Sequence, residues 1–197
     1  MAKPEIESGE VLTFSQLHND VLDKLLLADI SDVETCARRI VEEATGIEPH
    51  LFNLEQDQPV TKGAVFRADA MTIRRARGEP LQYVLGHWPF RYLDLAVDSR
   101  ALIPRPETEV VAGFVIDLLH SSSRDDGRKL IVSDMGTGSG AIALSIAHEV
   151  PNAEIHAADV SREALALARS NLAGLGRSAA RVQLYEGDWF DALPDDL

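Results

Sequence analysis

The sequence of 197 residues contains a single cysteine, Cys36, and no apolar run long enough to span a bilayer. One cysteine excludes an internal disulfide and any zinc or redox site built from several thiols. The N-terminal residues MAKPEIESGE also lack the cationic start and apolar core of a secretory signal. We therefore expect a cytoplasmic protein in which Cys36 is a packed, unreactive thiol.

Basic residues are also scarce. Nineteen Lys and Arg stand against 32 Asp and Glu, which gives a formal net charge of −13. Such a charge disfavours wholesale nucleic-acid binding, because phosphate neutralisation needs a basic surface. The exception is one predicted helix with five cations: Lys62, Arg67, Arg74, Arg75 and Arg77. Paired charges on a solvated face are the simpler interpretation, and a docking face for an anionic partner is the alternative.

Helical periodicity dominates the first 78 residues and predicts a small helical bundle over 1–78. Ser31 followed by Glu34 predicts a capping box at the start of a second helix, and Gly46 predicts its end. A third helix is predicted to begin at Pro59. The lone histidines of this region are expected in surface or cap roles.

Short apolar and aromatic runs replace the helical pattern after Pro80. They predict three strands, at Leu81–Leu85, Phe90–Val97 and Ala101–Ile103. These runs predict a β-hairpin linker over 79–105. Pro106 then suits the first residue of a helix, because a missing N–H costs nothing there.

Strand and helix patterns alternate from Leu130 onward. Strands are predicted at Leu130–Val132, Ala153–Ala158 and Arg181–Tyr185, with helices at Ser139–Glu149 and Ser161–Ala173. Such short connections imply parallel strands joined by right-handed crossovers. The predicted fold class over 106–197 is therefore α/β.

A glycine-rich segment, Asp134–Gly140, joins the first of these strands to its helix. Glycines permit a sharp turn and close approach of a ligand, and the helix start offers unpaired N–H groups. Gly136, Gly138 and Ala141 match the dinucleotide fingerprint. The additional Asp134 and Gly140 also match the acid-x-G-x-G-x-G loop of S-adenosylmethionine sites. Asp134 would repel a diphosphate and attract a sulfonium, so the second ligand is favoured.

Carboxylates also follow the next two strands. Asp159 lies about 20 residues beyond the loop, where a carboxylate accepts hydrogen bonds from ribose hydroxyls in both ligand classes. Asp188 and Trp189 follow the third strand and suit the amino group and the ring of an adenine. Phe190 is expected to pack in the core, and His156 is expected to be a buried structural residue.

These motifs, in this order and spacing, resemble the PrmC/HemK family of protein-(glutamine-N5) methyltransferases, which modify peptide chain release factors. The similarity rests on Arg77–Leu81 (RGEPL), Gly86, Leu102–Glu109 (LIPRPETE), the loop Asp134–Gly140, and Gly187–Phe190 (GDWF). The segment IPRPETE is the most specific of these. The first 70 residues agree with the family only in their helical character. The resemblance implies that 106–197 is the first half of a class I S-adenosylmethionine-dependent methyltransferase domain, with a Rossmann-like, incomplete sheet.

The resemblance implies a reaction in which S-adenosylmethionine methylates the glutamine side-chain amide in the Gly-Gly-Gln loop of a class 1 release factor. The methionine part of the cofactor would contact the loop residues Gly136, Thr137, Gly138, Ser139 and Gly140. Asp159 would bind the ribose, and Asp188 and Trp189 the adenine. Arg105–Glu109 would form the pocket wall, and the N-terminal bundle would bind the release factor. No membrane and no direct nucleic-acid partner is expected.

The Asn-Pro-Pro-Tyr motif by which the family holds its substrate glutamine does not occur in the 197 residues. We therefore predict no catalytic residue, and we expect an N-terminal portion that does not methylate release factor by itself. Three alternatives stay open: an N6-adenine-type nucleic-acid methyltransferase, a nicotinamide-dependent oxidoreductase, and a non-catalytic interaction module.

Overall fold

The protein is described by a computed structural model, which covers residues 12–122 and 129–195. The chain divides after Leu85 into two compact units. The predicted three-part division of the chain stays a prediction. Within the described ranges, no helix is both long and apolar enough to cross a membrane.

The first unit is helical, as predicted. Its elements are α1 (Phe14–Leu27), α2 (Val33–Thr45), α3 (Lys62–Ala76) and α4 (Leu81–Leu85). The α1 stripe Leu17, Val21 and Leu25 is completely buried against Ile40 and Val41 of α2. Cys36 is buried in the same core, as expected. Burial of this apolar stripe stabilises the bundle more than the propensity of short helices does.

Threonines cap the helices of this unit. The Thr13 hydroxyl accepts from the Gln16 amide, and the Gln16 side chain accepts from the Thr13 amide at 2.8 Å, which completes a capping box. Thr61 caps α3, so that helix begins at Lys62 and not at Pro59. The capping box predicted at Ser31 is wrong, because Asp32 occupies the N-cap position at φ 56° without a side-chain cap bond. Gly46 ends α2, as predicted.

The segment Leu81–Leu85, predicted as a strand, is the short helix α4. Val84 and Leu85 are buried. The Arg74 guanidinium donates to the carbonyl oxygens of Tyr83 (2.8 Å) and Val84 (3.1 Å). Tertiary contacts therefore determine that this segment is a helix, because the C-terminal carbonyls of a short helix need hydrogen-bond donors from outside it.

Three cations of α3 bond within the chain. Arg67 donates to the carbonyl of Ala44 at 2.6 Å, and Arg74 pairs with Glu79. Arg75 donates to the carbonyl of Glu79 at 3.0 Å. Within the described ranges only Arg74 of these three has an anionic partner, so the interpretation as paired charges holds for Arg74, whereas Arg67 and Arg75 bond neutral backbone carbonyls.

The second unit begins with a hairpin and continues as an α/β fold. Its elements are β1 (His87–Phe90), β2 (Leu93–Ala96), α5 (Pro106–Ser122), β3 (Leu130–Met135), α6 (Ala141–Glu149), β4 (Ala153–Asp159), α7 (Arg162–Ala173) and β5 (Val182–Glu186), with 3-10 turns at Gly176–Arg181 and Trp189–Ala192. β1 and β2 pair antiparallel, so the single run predicted at Phe90–Val97 is split by the turn after Phe90.

Ala101–Ile103, predicted as a strand, is irregular. Ala101 packs instead against Ala164 and Leu167 of α7. A short apolar run next to a helix gains more from this burial than from an isolated strand without a partner.

A parallel sheet of order β3-β4-β5 forms the centre of this unit and confirms the predicted α/β class. Residue pairs such as Val132 with Ile155 and Ile155 with Val182 set its register. Because the strands are parallel, their carboxyl ends lie at one edge, where Met135 pairs with Ala158 and Asp159 with Glu186. Ligand sites of open α/β sheets lie at this edge.

Candidate cofactor site

The glycine loop turns from the end of β3 into α6. Gly136, Gly138 and Gly140 have φ values of 77°, 57° and 86°, in the left-handed region that favours glycine. A Cβ at Gly140 would approach the Leu144 Cδ1 atom to 3.1 Å, so this glycine permits close helix packing. A Cβ at Gly136 would meet nothing within 4 Å, so this glycine borders open space.

Asp134 lies under the loop. Its Oδ2 atom accepts hydrogen bonds from the Thr137 hydroxyl at 2.7 Å and from the Ala143 amide at 3.2 Å. Burial raises the pKa of Asp134 above its ordinary value, the two hydrogen bonds oppose that rise, and the charge of Asp159 adds to it. Among the described residues no cationic side chain offsets this carboxylate. Arg105 lines the same pocket but forms no ion pair with Asp134 in the described structure, so this carboxylate itself lacks a cationic partner.

Asp159 connects the ends of all three strands. Its Oδ2 atom accepts from the Gly138 amide at 2.8 Å, and its Oδ1 atom accepts from the Ser161 amide at 2.9 Å. Its carbonyl accepts from the Gly187 amide after β5. Each carboxylate oxygen has a lone pair left, so Asp159 is able to accept further hydrogen bonds.

The residues after β5 form an exposed rim. Trp189 is 67% exposed at φ 47°, and Asp188 is exposed beside it. Phe190 is 69% exposed, so the expectation that it packs in the core is wrong. Gly187 has no room for a side chain, since a Cβ there would lie 2.8 Å from the Cβ atom of Ala192. The tight turn at Gly187 and Ala192 therefore directs the chain, and both aromatic rings, toward solvent.

Two pockets of this unit meet at Gly136. One is lined by the loop, Asp134, the start of α6 and the segment Leu102–Arg105 with Thr108. The other is lined by Asp159, Asp188, Trp189 and the end of β3. The structure thus brings together the predicted residues of the loop, the ribose site and the adenine site except Gly140, which lines neither pocket. Of the predicted pocket wall Arg105–Glu109, Arg105 and Thr108 line the first pocket and the other three residues line neither.

His156 lies in the middle of β4, at 4% exposure, as expected for a structural residue. Its Nδ1 atom lies 2.9 Å from the Tyr185 hydroxyl on β5. In the ranges that the structure describes, no cluster of His, Cys, Asp and Glu is suited to a metal ion.

Sequence reasoning missed Asn171 of α7. This buried amide donates to the carbonyl of Ser139 in the glycine loop at 2.9 Å, and it bonds both backbone groups of Ala96. The only signal in the sequence is a polar residue at a position that the α7 periodicity would bury. Helical periodicity does not reveal which partner such a residue has.

Known proteins similar to this chain are methyltransferases. The release factor glutamine methyltransferase of Moorella thermoacetica is 48% identical over 144 residues, which cover 73% of this chain and 48% of that protein. The enzyme of the same name from Agrobacterium fabrum is 34% identical over 170 residues, covering 86% and 58%. Sequence models of the PrmC N-terminal domain and of the methyltransferase small domain match residues 16–86 and 114–197. The chain belongs to the PrmC/HemK family.

This PrmC/HemK chain spans about half the length of the curated relatives it matches. Solved structures resemble it more weakly. The N-terminal domain of human METTL16 in complex with SAH is 16% identical, with a TM-score of 0.43, over 71% of this chain and 51% of that chain. A precorrin-6y C5,15-methyltransferase from Geobacter metallireducens is 23% identical, with a TM-score of 0.37, over 51% and 50%.

Proposed function

We propose that this protein binds S-adenosylmethionine and serves the methylation of the Gly-Gly-Gln glutamine of class 1 release factors in the cytoplasm. Asp134 is the observation that carries the cofactor proposal. A partly buried carboxylate without a cationic partner among the described residues suits a ligand with a sulfonium and an ammonium group. The same carboxylate would repel the diphosphate of a nicotinamide dinucleotide.

Each of the two pockets accommodates a different part of the cofactor. The pocket beside Asp134 and Gly136–Ser139 suits the methionine part. In the other pocket, Asp159 accepts from the ribose hydroxyls, and Asp188 and Trp189 contact the adenine. The open space at Gly136, where the pockets meet, gives the chain of the ligand a passage from one to the other.

The bound cofactor supplies an activated methyl group on its sulfonium sulfur. The residues of this chain fix the direction in which that group points and exclude water from it. Orientation matters here because a carboxamide nitrogen is a weak nucleophile with a delocalised lone pair. Holding both reactants in line therefore accounts for a large part of the rate.

The substrate proposal rests on the relatives, which are named release factor glutamine methyltransferases. We assign binding of the release factor to the helical bundle, whose sequence matches the PrmC N-terminal domain. One exposed face, formed by α3 and its C-cap residue and here called the α3 stripe, consists of Lys62, Phe66, Ile73 and Arg77.

The α3 stripe has the composition of a protein-binding surface. Phe66 and Ile73 are 76% and 53% exposed. Lys62 and Arg77 flank them, and within the described ranges neither forms an ion pair or a side-chain hydrogen bond. An apolar patch between two cations fits a partner that presents apolar side chains flanked by carboxylates.

Calorimetry tests the cofactor proposal. The chain is titrated separately with S-adenosylmethionine, S-adenosylhomocysteine and NAD⁺. We expect both adenosyl sulfur ligands to bind and NAD⁺ to give no heat of binding. Binding of NAD⁺ in their place would overturn the proposal in favour of an oxidoreductase.

Association tests the substrate proposal, because the family's substrate-binding motif is absent from these 197 residues. Biolayer interferometry measures binding of the chain to a class 1 release factor, with an oligonucleotide duplex as the alternative partner. We expect saturable binding of the release factor only. Preference for the duplex would support a nucleic-acid methyltransferase, and binding of neither would contradict the assignment of the bundle.

A further inference from the structure

The side chain of Asn171 joins three elements of the second unit. Its Oδ1 atom accepts from the Ala96 amide at 2.8 Å, and its Nδ2 atom donates to the Ala96 carbonyl at 3.1 Å. The same Nδ2 atom donates to the Ser139 carbonyl at 2.9 Å. Asn171 is only 9% exposed, so these bonds form away from solvent.

The Asn171 side chain bonds both the amide and the carbonyl of Ala96. A neighbouring β-strand would form the same pair of hydrogen bonds with β2. The remaining donor of the amide is then directed at the glycine loop. Asn is a poor residue for a helix interior, because its side chain competes for backbone hydrogen bonds. Its presence in α7 is explained by these partners outside the helix.

Gly140, the next residue of the loop, lies close to the same region of α7. A Cβ at Gly140 would lie 3.5 Å from the Cβ atom of Ala168, one turn before Asn171. Ser139 is 3% exposed and lines the pocket that contains Asp134. The loop is thus joined to α7 by one hydrogen bond, and Gly140 lies close enough to α7 that an added Cβ would contact Ala168.

We infer that Asn171 is a positioning residue of the cofactor site, which sets the part of the glycine loop that faces the methionine end of the ligand. This inference rests on the proposed function. Asn171 acts through Ser139, which lines the first pocket and not the one formed by Asp159 and Trp189. Its loss therefore weakens ligands that have an amino-acid end more than ligands that have only the adenosine end.

Two ligands separate positioning from general support of the fold. S-Adenosylhomocysteine fills both pockets, whereas 5′-methylthioadenosine lacks the amino-acid end. In Asn171→Asp the carboxylate keeps the acceptor for Ala96 but faces two carbonyl oxygens, and Asn171→Ala removes all three bonds. For both variants we expect S-adenosylhomocysteine affinity to fall about tenfold or more, and methylthioadenosine affinity by less than about threefold.

Arg181→Ala is the matched control. The Arg181 side chain donates to the carbonyls of Ala147, Val150 and Ala153. These groups lie near the opposite end of β4 from Asp159, so the control loses buried hydrogen bonds without touching either pocket. We expect it to lower the melting temperature and to leave the ratio of the two affinities unchanged.

If the Asn171 variants lose affinity equally for both ligands, the positioning role is overturned. It is also overturned if Arg181→Ala changes the ratio of the two affinities as much as the Asn171 variants do. If the parent chain binds neither ligand, the proposed cofactor is wrong. Amide hydrogen exchange then still tests the contact: we expect the amides of residues 138–141 to exchange about tenfold faster in Asn171→Ala and no faster in the control. Unchanged exchange would overturn the inference by itself.

Discussion

The Asp159 carboxylate accepts a hydrogen bond from the Gly138 amide at 2.8 Å, which joins the end of β4 to the loop after β3. Its other oxygen accepts from the Ser161 amide, at the start of α7. One side chain thereby fixes two loops at the carboxyl edge of the sheet. Both oxygens retain capacity for a ligand, so the same residue has a structural role and, in our proposal, a binding role.

Asp159→Asn tests these two roles together. The variant keeps the shape of the side chain, but its NH₂ group must face one of the two backbone N–H donors. We expect a loss of about 1 kcal/mol in the free energy of unfolding, measured by urea titration, because one partly buried amide loses its acceptor. We expect the affinity of this variant for S-adenosylhomocysteine to fall as well.

Asp188→Asn is the control for that substitution. Asp188 is exposed, and among the described residues its side chain forms no hydrogen bond. We expect this variant to weaken the ligand while its unfolding curve matches that of the parent. A parent-like stability for Asp159→Asn would contradict the dual role of Asp159.

Asp134→Asn should raise stability and reduce cofactor binding. The amide oxygen still accepts from Thr137 and Ala143, while the unbalanced charge disappears. Because the folded-state pKa of Asp134 lies above its unfolded value, ionisation costs stability as pH rises through the raised pKa. At neutral pH we therefore expect a melting temperature at or above that of the parent.

The pH dependence of cofactor binding provides the second measurement on Asp134. Only the ionised carboxylate attracts a sulfonium, so the affinity of the parent for S-adenosylmethionine should fall as pH drops toward the raised pKa. Calorimetry across this range should show a fall that begins above pH 3.8, the ordinary value for Asp. Asp134→Asn should bind about tenfold more weakly and show no such fall. A decline of equal size in the variant would assign the effect to another group.

Gly140→Ala should destabilise the second unit more than Gly176→Ala. Both glycines have positive φ values, 86° and 62°, so each substitution costs about 1–2 kcal/mol in backbone strain. At Gly140 the added methyl also meets Leu144 at 3.1 Å, whereas at Gly176 nothing lies within 4 Å. Thermal unfolding measures the difference. Equal losses for the two variants would show that Leu144 moves aside without cost.

Charge reversal on the α3 stripe tests the assignment of the bundle. Lys62→Glu and Arg77→Glu should each weaken release-factor binding about threefold or more and mainly lower the association rate, as expected for charges at the rim of an interface. Arg177→Glu changes an exposed cation of the other unit and should have no effect. If Arg177→Glu weakens binding equally, long-range attraction explains the result and the α3 stripe is not the contact.

The glycine loop could be predicted from the sequence because its signals are local. The glycines of Asp134–Gly140 lie between an apolar strand pattern and a helix pattern, and the backbone angles of this loop depend on little else. The parallel pairing of the strands followed from their short connections. Asp159 could be assigned for the same reason, since it directly follows the buried run of β4.

Elsewhere the outcome depended on residues far apart in the sequence. Leu81–Leu85 has the composition of a strand, yet Arg74 and the bundle core make it a helix. Ser31 has the spacing of a capping box, but the chain places Asp32 at the N-cap. Phe190 has the composition of a core residue, and the turn at Gly187 leaves it exposed.

The sequence by itself determined the order of strands and helices from Leu130 onward, the loop with its acids, and the family, because the signals for each lie in contiguous residues. Only the tertiary structure decided that Asp134 has no cationic partner among the described residues and that Asn171 supports Ser139. Charge balance and the partners of a buried amide depend on which side chains folding brings within a few ångströms. Residues 32 positions apart, as Ser139 and Asn171 are, leave no periodic signal of that contact in the sequence.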